Sequence, residues 1–302
     1  MIIPPYLKKG DTIGITCPAG YMPLKKAATC IDTLQKWGYE VLIGKTLGSS
    51  SHNYFSGTDE DRLNELQAML DAPSIQAILC GRGGYGLGRI IDKLDFKKFK
   101  KHPKWIIGFS DITVMHAHLN RNYNIASLHA PMASAFDSAG IRSTAIRSLK
   151  EALEGKKSNY TCKAHPLNKT GTATGALVGG NLALVTNMIG TPSDLKTKNK
   201  ILFLEDVGEQ LYNIDRMLRQ LQRSGKLEHL AGLILGGFTE TKDTERAFGQ
   251  TAYELIHEII HKAPYPVCFG FPVSHGKENL ALKSGINHQL HITPKGCTLQ
   301  EC

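Results

Sequence analysis

An α/β architecture, with a parallel sheet covered by helices on both faces and then a second unit containing mixed strands, is predicted by three features of this 302-residue chain. Apolar runs take turns with helix-like stretches through residue 123. A polar, weakly periodic tract lies at 136–175. Beyond it come two buried-strand candidates, two helices and an alternating tail. Strands and helices in strict turn imply parallel strands joined by helical crossovers.

The first series runs TIGITC (12–17), MPLKKAATCIDTLQKWG (22–38), EVLIG (40–44), TDEDRLNELQAMLDA (58–72), IQAILC (75–80), GLGRIIDKL (86–94), KWIIGFS (104–110) and DITVMHAHLNRNY (111–123). The helix opening at Thr58 has that residue as N-cap and Asp61 three positions on, with Leu63, Leu66 and Leu70 as its apolar stripe. The tract at 136–175 holds one amphipathic helix and then Gly-, Lys- and Thr-rich sequence, which sets the boundaries expected here: 1–136, a linker region 137–175, and 176–302. In the last part ILFLED (201–206) and LAGLILGGF (230–238) read as buried strands. NIDRMLRQLQRSG (213–225) is a helix ended by Gly225, and TAYELIHEIIHKAPYP (251–266) is one stopped before Pro264. HQLHITPKGCTLQEC (288–302) alternates like short antiparallel strands. There is no internal repeat.

Composition narrows the function classes. A hydrophobic content of 41% is enough to fill a core at this length. No apolar run approaches the roughly 18 residues that span a bilayer, and MIIPPYLKKG is not laid out as a secretory leader, so a soluble, cytoplasmic chain is expected. Seven scattered cysteines without a CxxC pair suggest neither a disulfide framework nor a cysteine zinc site. The formal charge of +9 is spread along the chain, and its densest cluster, DFKKFKKHPKW (95–105), has no nucleic-acid motif around it. A solvated basic face or an acidic small substrate accounts for it, and no nucleic-acid or membrane partner is expected.

Four local signals bear on chemistry. Gly81, Gly83 and Gly86 satisfy GxGxxG after a strand candidate, which suits a tight turn, a main-chain cradle for an oxyanion, or a dinucleotide loop. HEIIH (257–261) matches HExxH, with His257 and His261 on one helical face and Glu258 as a base. A zinc peptidase needs a third ligand, and only Glu278 is convenient; otherwise Leu255, Ile256, Ile259 and Ile260 pack inward and the polar residues face water. Ser110 opens a helix and so reads either as an N-cap or as a nucleophile placed at a helix N-terminus. The last signal is a pair of segments, LEDVGE with Glu205 and PVSHGKEN with His275, which follow apolar runs and would bring an acid and a base to the same sheet edge as Ser110. Ile112 stands where the GxSxG elbow requires glycine, which argues against the common hydrolase fold.

Taken together, RGGYG (82–86), GFSDIT (108–113), GGNL (179–182), LFLEDVGE (202–209), IDRML (214–218) and GFPVSHGKENLAL (270–282) resemble the LD-carboxypeptidase family, in its order and spacing. That family includes cytoplasmic murein tetrapeptide carboxypeptidases and microcin C immunity proteins. The resemblance implies a Rossmann-like N-terminal domain, a C-terminal domain carrying the acid and histidine, and a homodimer. It also implies Ser110 as nucleophile, His275 as general base, Glu205 as the orienting acid, and an oxyanion hole from the N–H of Asp111 with that of Gly83 or Gly84. No cofactor is implied. The substrate would be a small anionic peptide, the murein tetrapeptide losing its terminal D-alanine, with Arg82 and Arg89 as candidates for gripping a carboxylate. The alternatives are hydrolysis of an aminoacyl-nucleotide analogue, as in the immunity proteins, the zinc peptidase, and a binding module that cleaves nothing. Ser274 and Lys283 depart from residues common in the family, glycine and proline; Ser274 is placed to bond His275 or to reshape its loop.

Overall fold

The computed structural model describes residues 1–302. In the N-terminal part, β1 (Thr12–Thr16), β2 (Glu40–Ile43), β3 (Ala77–Cys80), β4 (Trp105–Gly108) and β5 (Ser127–His129) alternate with α1 (Ala28–Lys36), α2 (Asp59–Asp71), α3 (Lys97–Lys101) and α4 (Thr113–Tyr123). All five strands pair in parallel, in the order β2-β1-β3-β4-β5. Because successive side chains on a strand point to opposite faces, Ile78, Cys80 and Ile106 pack with Leu66 of α2 and Met115 of α4. Leu79, Trp105 and Ile107 pack on the other face with Leu34 of α1. Helices therefore cover both faces, as the alternation of runs predicts. The reciprocal cap at Thr58 and Asp61 is formed, with Asp61 N donating to Thr58 Oγ1 at 3.1 Å and Thr58 N to Asp61 Oδ2 at 2.9 Å.

The chain continues through α5 (Ala135–Ala139), α6 (Thr144–Leu153), β6 (Asn159–Lys163), β7 (Gly171–Asn181), α7 (Leu182–Asn187), β8 (Ile201–Val207), α8 (Leu211–Arg223), β9 (Gly232–Thr239), α9 (Ala252–Ile260), β10 (Val267–Phe269), β11 (Leu282–Ser284), β12 (Asn287–Thr293) and β13 (Gly296–Glu301). A seven-stranded sheet has the order β10-β9-β8-β7-β12-β13-β6, parallel from β10 to β7 and antiparallel from β7 to β6. Leu177, Phe203, Ile234, Leu290 and Leu299 form its core.

Three features differ from the expected layout. The stretch 86–94 makes two short 3-10 turns, Leu87–Arg89 and Ile91–Lys93, in place of a helix; Gly86 sits at φ +151°, outside the helical region. Residues 137–175, expected as a linker region, supply β6 and the start of β7 to the second sheet; NYTCK is half-exposed, so it lacks the apolar signature of a buried strand. Finally, β11 leaves the C-terminal part and pairs antiparallel with β5, Leu282 opposite His129 and Ser284 opposite Ser127, completing a six-stranded first sheet. Lys283 in that strand is fully buried. Its Nζ donates to Glu301 Oε2 at 2.9 Å and to the carbonyl of Lys156 at 3.0 Å, and lies 4.8 Å from the Tyr6 ring centroid, so it ties the two sheets together instead of acting at the His275 loop.

Candidate functional site

Ser110 follows the last residues of β4 and adopts φ +62°, a left-handed conformation that costs a non-glycine residue on the order of 1 kcal/mol or more. It caps nothing: α4 is preceded by a 3-10 turn at Ser110–Ile112, its N-cap position is Ile112, and no side chain supplies a cap hydrogen bond. Of the two readings of this serine, the helix-capping one fails. The turn is tight because Gly108 lacks a side chain, since a Cβ there would lie 2.8 Å from Ile112 Cγ1. Ile112 thus fills the space that glycine 108 leaves.

The glycine-rich turn after β3 lies directly against this serine. A Cβ on Gly83 would sit 2.8 Å from Ser110 Cβ, 3.0 Å from its Oγ and 3.3 Å from the backbone nitrogen of Asp111. Gly84 has φ +99° and faces the Tyr54 hydroxyl, while the Gly83 carbonyl accepts from Gly20 N at 3.1 Å. The Asp111 side chain points back to the same turn and accepts from Leu87 N at 2.8 Å. Burial pushes its carboxyl up to about 6, against the lowering effect of that N–H and of the Arg62 charge. Arg62, itself buried, pairs with Asp59 and donates to the carbonyls of Pro18 and Gly86 at 2.8 and 3.1 Å. The loop is therefore held from beneath by charge-assisted bonds.

Glu205 lies on β8 at a bulge. Leu204 pairs with Leu235 and Asp206 with Phe238, so Gly236 and Gly237 of β9 oppose the single residue Glu205. Those glycines also let the His275 loop come close: a Cβ on Gly236 would lie 2.1 Å from the Val273 carbonyl and 3.2 Å from Glu205 Cβ, and one on Gly237 would lie 2.6 Å from Ser274 Cβ. The result is a hydrogen bond of 2.6 Å between His275 Nδ1 and Glu205 Oε2, with the glutamate fully buried and the imidazole mostly so. Ser274 makes no hydrogen bond to the ring among the described residues. Its Oγ accepts from Gly276 N at 3.0 Å and donates to the Glu278 carbonyl at 2.9 Å, closing the loop on itself.

The His275 ring packs edge-on against Phe109, centroids 4.8 Å apart, which brings it beside the residue preceding Ser110. His275 Nε2 is buried and, among the described residues, has no hydrogen-bond partner, so no bond yet joins it to the serine hydroxyl. Beneath lies His129, wholly buried between Phe109 and Phe203; burial, then the nearby imidazoles of His116 and His275, hold it well below the ordinary histidine range and hence neutral. Thr113, one turn on from Ser110, accepts from Asn181 N at 3.1 Å, and Asn181 Nδ2 donates to Asp206 Oδ1 at 2.7 Å, linking the serine's helix to the acid's strand.

The other candidates are differently engaged. Arg89, expected beside Arg82 as a gripping cation, gives its fork to Asp59, with Nε at 2.9 Å from both oxygens. Arg82 is exposed and donates one Nη1 bond to the Tyr21 carbonyl at 3.1 Å. In α9, Glu258 pairs with Arg219 at 2.9 Å and His261 Nδ1 bonds the Glu258 carbonyl at 2.7 Å. Leu255, Ile256 and Ile260 are buried, with Ile259 partly so. No third ligand joins His257 and His261 among the described residues. A groove of about 700 Å3 runs beside β2 and Glu65 and is lined by none of Ser110, Glu205 and His275. Sequence reasoning missed Gly236 and Gly237; a glycine pair inside LILGGF was the available sign of a bulge or a close approach.

Two family models match the chain, the LD-carboxypeptidase N-terminal domain over residues 13–130 and the LD-carboxypeptidase C-terminal domain over 174–290. The chain belongs to the LD-carboxypeptidase family. It is a peptidase by that membership, and the resemblance of its motifs stands as read. Among LD-carboxypeptidase relatives, a Bacillus subtilis protein named "Probable murein peptide carboxypeptidase" is 34% identical over 300 residues, covering 98% of this chain and 94% of its own. A muramoyltetrapeptide carboxypeptidase of Oxalobacter formigenes, known from a crystal structure, superposes with TM-score 0.86 at 29% identity, covering 96% of this chain and 98% of the other. The microcin C7 self-immunity protein MccF of Escherichia coli is 25% identical over 328 residues, covering 98% of this chain and 94% of its own. Among the described residues, no helix is long and apolar enough to cross a membrane.

Proposed function

We propose that this LD-carboxypeptidase is a serine enzyme that releases the terminal D-alanine from murein tetrapeptides, with Ser110 as nucleophile, His275 as general base and Glu205 as the acid that orients it. The observation that carries the reading is the Glu205–His275 bond. A ring that donates Nδ1–H to a buried carboxylate presents Nε2 as a proton acceptor, and that nitrogen has no partner among the described residues, in a ring packed on Phe109, the residue before Ser110.

In this mechanism the serine hydroxyl attacks the carbonyl of the diamino acid residue while His275 takes its proton. The oxyanion is met by the N–H groups of Asp111 and Gly83, the turn that packs on Ser110. His275 then protonates the departing amine of D-alanine, and water, deprotonated by the same ring, hydrolyses the acyl-enzyme. The hydroxyl and Nε2 close to bonding distance when substrate binds, as resting geometries at such sites are often long. Arg82, exposed at the turn, is the better-placed cation for a substrate carboxylate, and Arg89 supports the loop through Asp59. On this reading the enzyme works in the cytoplasm as a homodimer within peptidoglycan recycling, in two parts meeting near 137–175.

The test is product analysis by mass spectrometry on LD- and DL-linked tetrapeptides and an aminoacyl-sulfamoyl adenosine. Free D-alanine from the LD-linked peptide alone, unaffected by chelator and absent with Ser110→Ala, is expected. Cleavage of the nucleotide analogue alone would assign the immunity-type activity, chelator-sensitive cleavage would favour His257 and His261, and bound but intact peptide would leave only a binding module.

A further inference from the structure

Three cysteines that lie far apart along the chain meet at one point of the second sheet. Cys162 of β6 and Cys297 of β13 are direct cross-strand partners, and Cys268 comes from β10. Their sulfurs all lie within 4.8 Å of one another, and Cys162 Sγ is 3.5 Å from Cys268 Sγ. All three are free thiols. Strands β6 and β10 are the two ends of the seven-stranded order, so the sulfurs gather where the sheet curls until its edges face. The chain after β6 completes that closure: Lys169 and Val267 exchange backbone hydrogen bonds at 3.0 and 3.1 Å, and Asn168 Oδ1 accepts from Phe269 N at 2.8 Å.

We propose that Cys162, Cys268 and Cys297 form a binding site for one soft, thiophilic d10 cation, separate from the Ser110 site. The size fits. A metal about 2.3 Å from each of three sulfurs needs sulfurs about 4.0 Å apart in a trigonal plane, or slightly less in a tetrahedral set. The donor set fits as well, because thiolates select Cu(I) and Zn(II) over harder ions. No carboxylate or imidazole joins the three sulfurs among the described residues, which matches three-coordinate Cu(I); Zn(II) would add solvent as a fourth ligand. Cys268 and Cys297 are buried and Cys162 is half-exposed, so Cys162 is the side from which an ion enters. On binding, the thiols that become ligands release their protons to solvent. The bound ion joins β6, β13 and β10 and so fastens the closure of the sheet.

The experiment uses the reduced, metal-free full chain under anaerobic conditions, titrated with Cu(I) against a chromophoric chelator and, in a parallel arm, with Zn(II). One ion per chain in either arm is expected, with only sulfur, or sulfur plus one oxygen for Zn(II), in the ligand shell seen by X-ray absorption. The melting midpoint should rise by on the order of 5 °C with the ion at a hundredfold its Kd. Cys162→Ser, at the half-exposed position, should weaken binding at least a hundredfold, whereas Cys302→Ser should leave it unchanged. No retention of ion in either arm, binding indifferent to Cys162→Ser, or a nitrogen- or carboxylate-dominated shell on the wild-type chain would overturn the site, leaving the cysteines as small apolar core residues.

Discussion

His275 Nδ1 lies 2.6 Å from Glu205 Oε2, across a β-bulge in which two glycines oppose one glutamate. The carboxylate is sealed from water, so its main outlet for charge is the imidazole. That relationship ranks the three side chains. His275→Ala should abolish turnover, down by roughly 10^4-fold or more, and Ser110→Ala should match it. Glu205→Gln should retain a measurable remnant, because in the proposed mechanism the acid orients the ring and does not carry the proton. Release of D-alanine followed by mass spectrometry checks the order, and near wild-type rates in His275→Ala and Glu205→Gln would contradict the assigned roles.

Gly83 is open to a second test. Its φ is not positive, so alanine carries no backbone strain there, yet the added Cβ would meet Ser110 Cβ at 2.8 Å and Oγ at 3.0 Å. Gly83→Ala should therefore lower kcat by at least about a hundredfold, the scale of a lost oxyanion donor. Gly88→Ala, whose Cβ meets nothing within 4 Å, should behave as wild type. Equal kinetics in the two variants would remove Gly83 from the site.

Burial raises the Asp111 carboxyl from an ordinary value near 3.8 to about 6. The folded chain thus holds this proton more tightly than the unfolded chain, and the contribution to stability is complete below about pH 4 and fades as pH rises through about 6. Asp111→Asn, which keeps an acceptor for Leu87 N, removes that dependence. Between pH 4 and pH 7 the wild type should lose on the order of 2 kcal/mol relative to the variant. Denaturant midpoints at several pH values supply the comparison, and parallel curves would refute it.

The pair formed by Lys283 and Glu301 predicts a non-additive loss. Lys283→Met leaves a buried carboxylate without its partner and should cost about 3–5 kcal/mol. Adding Glu301→Gln removes the orphaned charge and should restore part of that stability. A double variant less stable than Lys283→Met alone, measured by thermal melting, would show that the pair is not the link between the sheets.

Local signals were strong where a side chain stands at the end of an apolar run. Ser110, Glu205 and His275 each follow one, and the alternation of runs carries the parallel first sheet. The weaker parts share a physical cause. The strand at 282–284 is three residues long with lysine at its centre, and its partner lies over 150 positions earlier, so neither periodicity nor spacing marks it. Gly236 and Gly237 act through a bulge, which depends on the neighbouring strand. HEIIH has the spacing of a zinc helix whether its polar residues meet a third ligand or, as here, an arginine and solvent; only the surroundings tell these apart. The three cysteines are separated by 106 and 29 residues, and strand order alone unites them.

The placement of β11 also has a consequence for biosynthesis. Strand β5 is made by residue 129, but its antiparallel neighbour waits until residue 284 leaves the ribosome. At ordinary translation speeds that delay is on the order of 10 s. Throughout it the nascent N-terminal half presents an unpaired edge, a template for wrong partners, so its safe maturation depends on holding that edge apart until the chain's own final strands arrive.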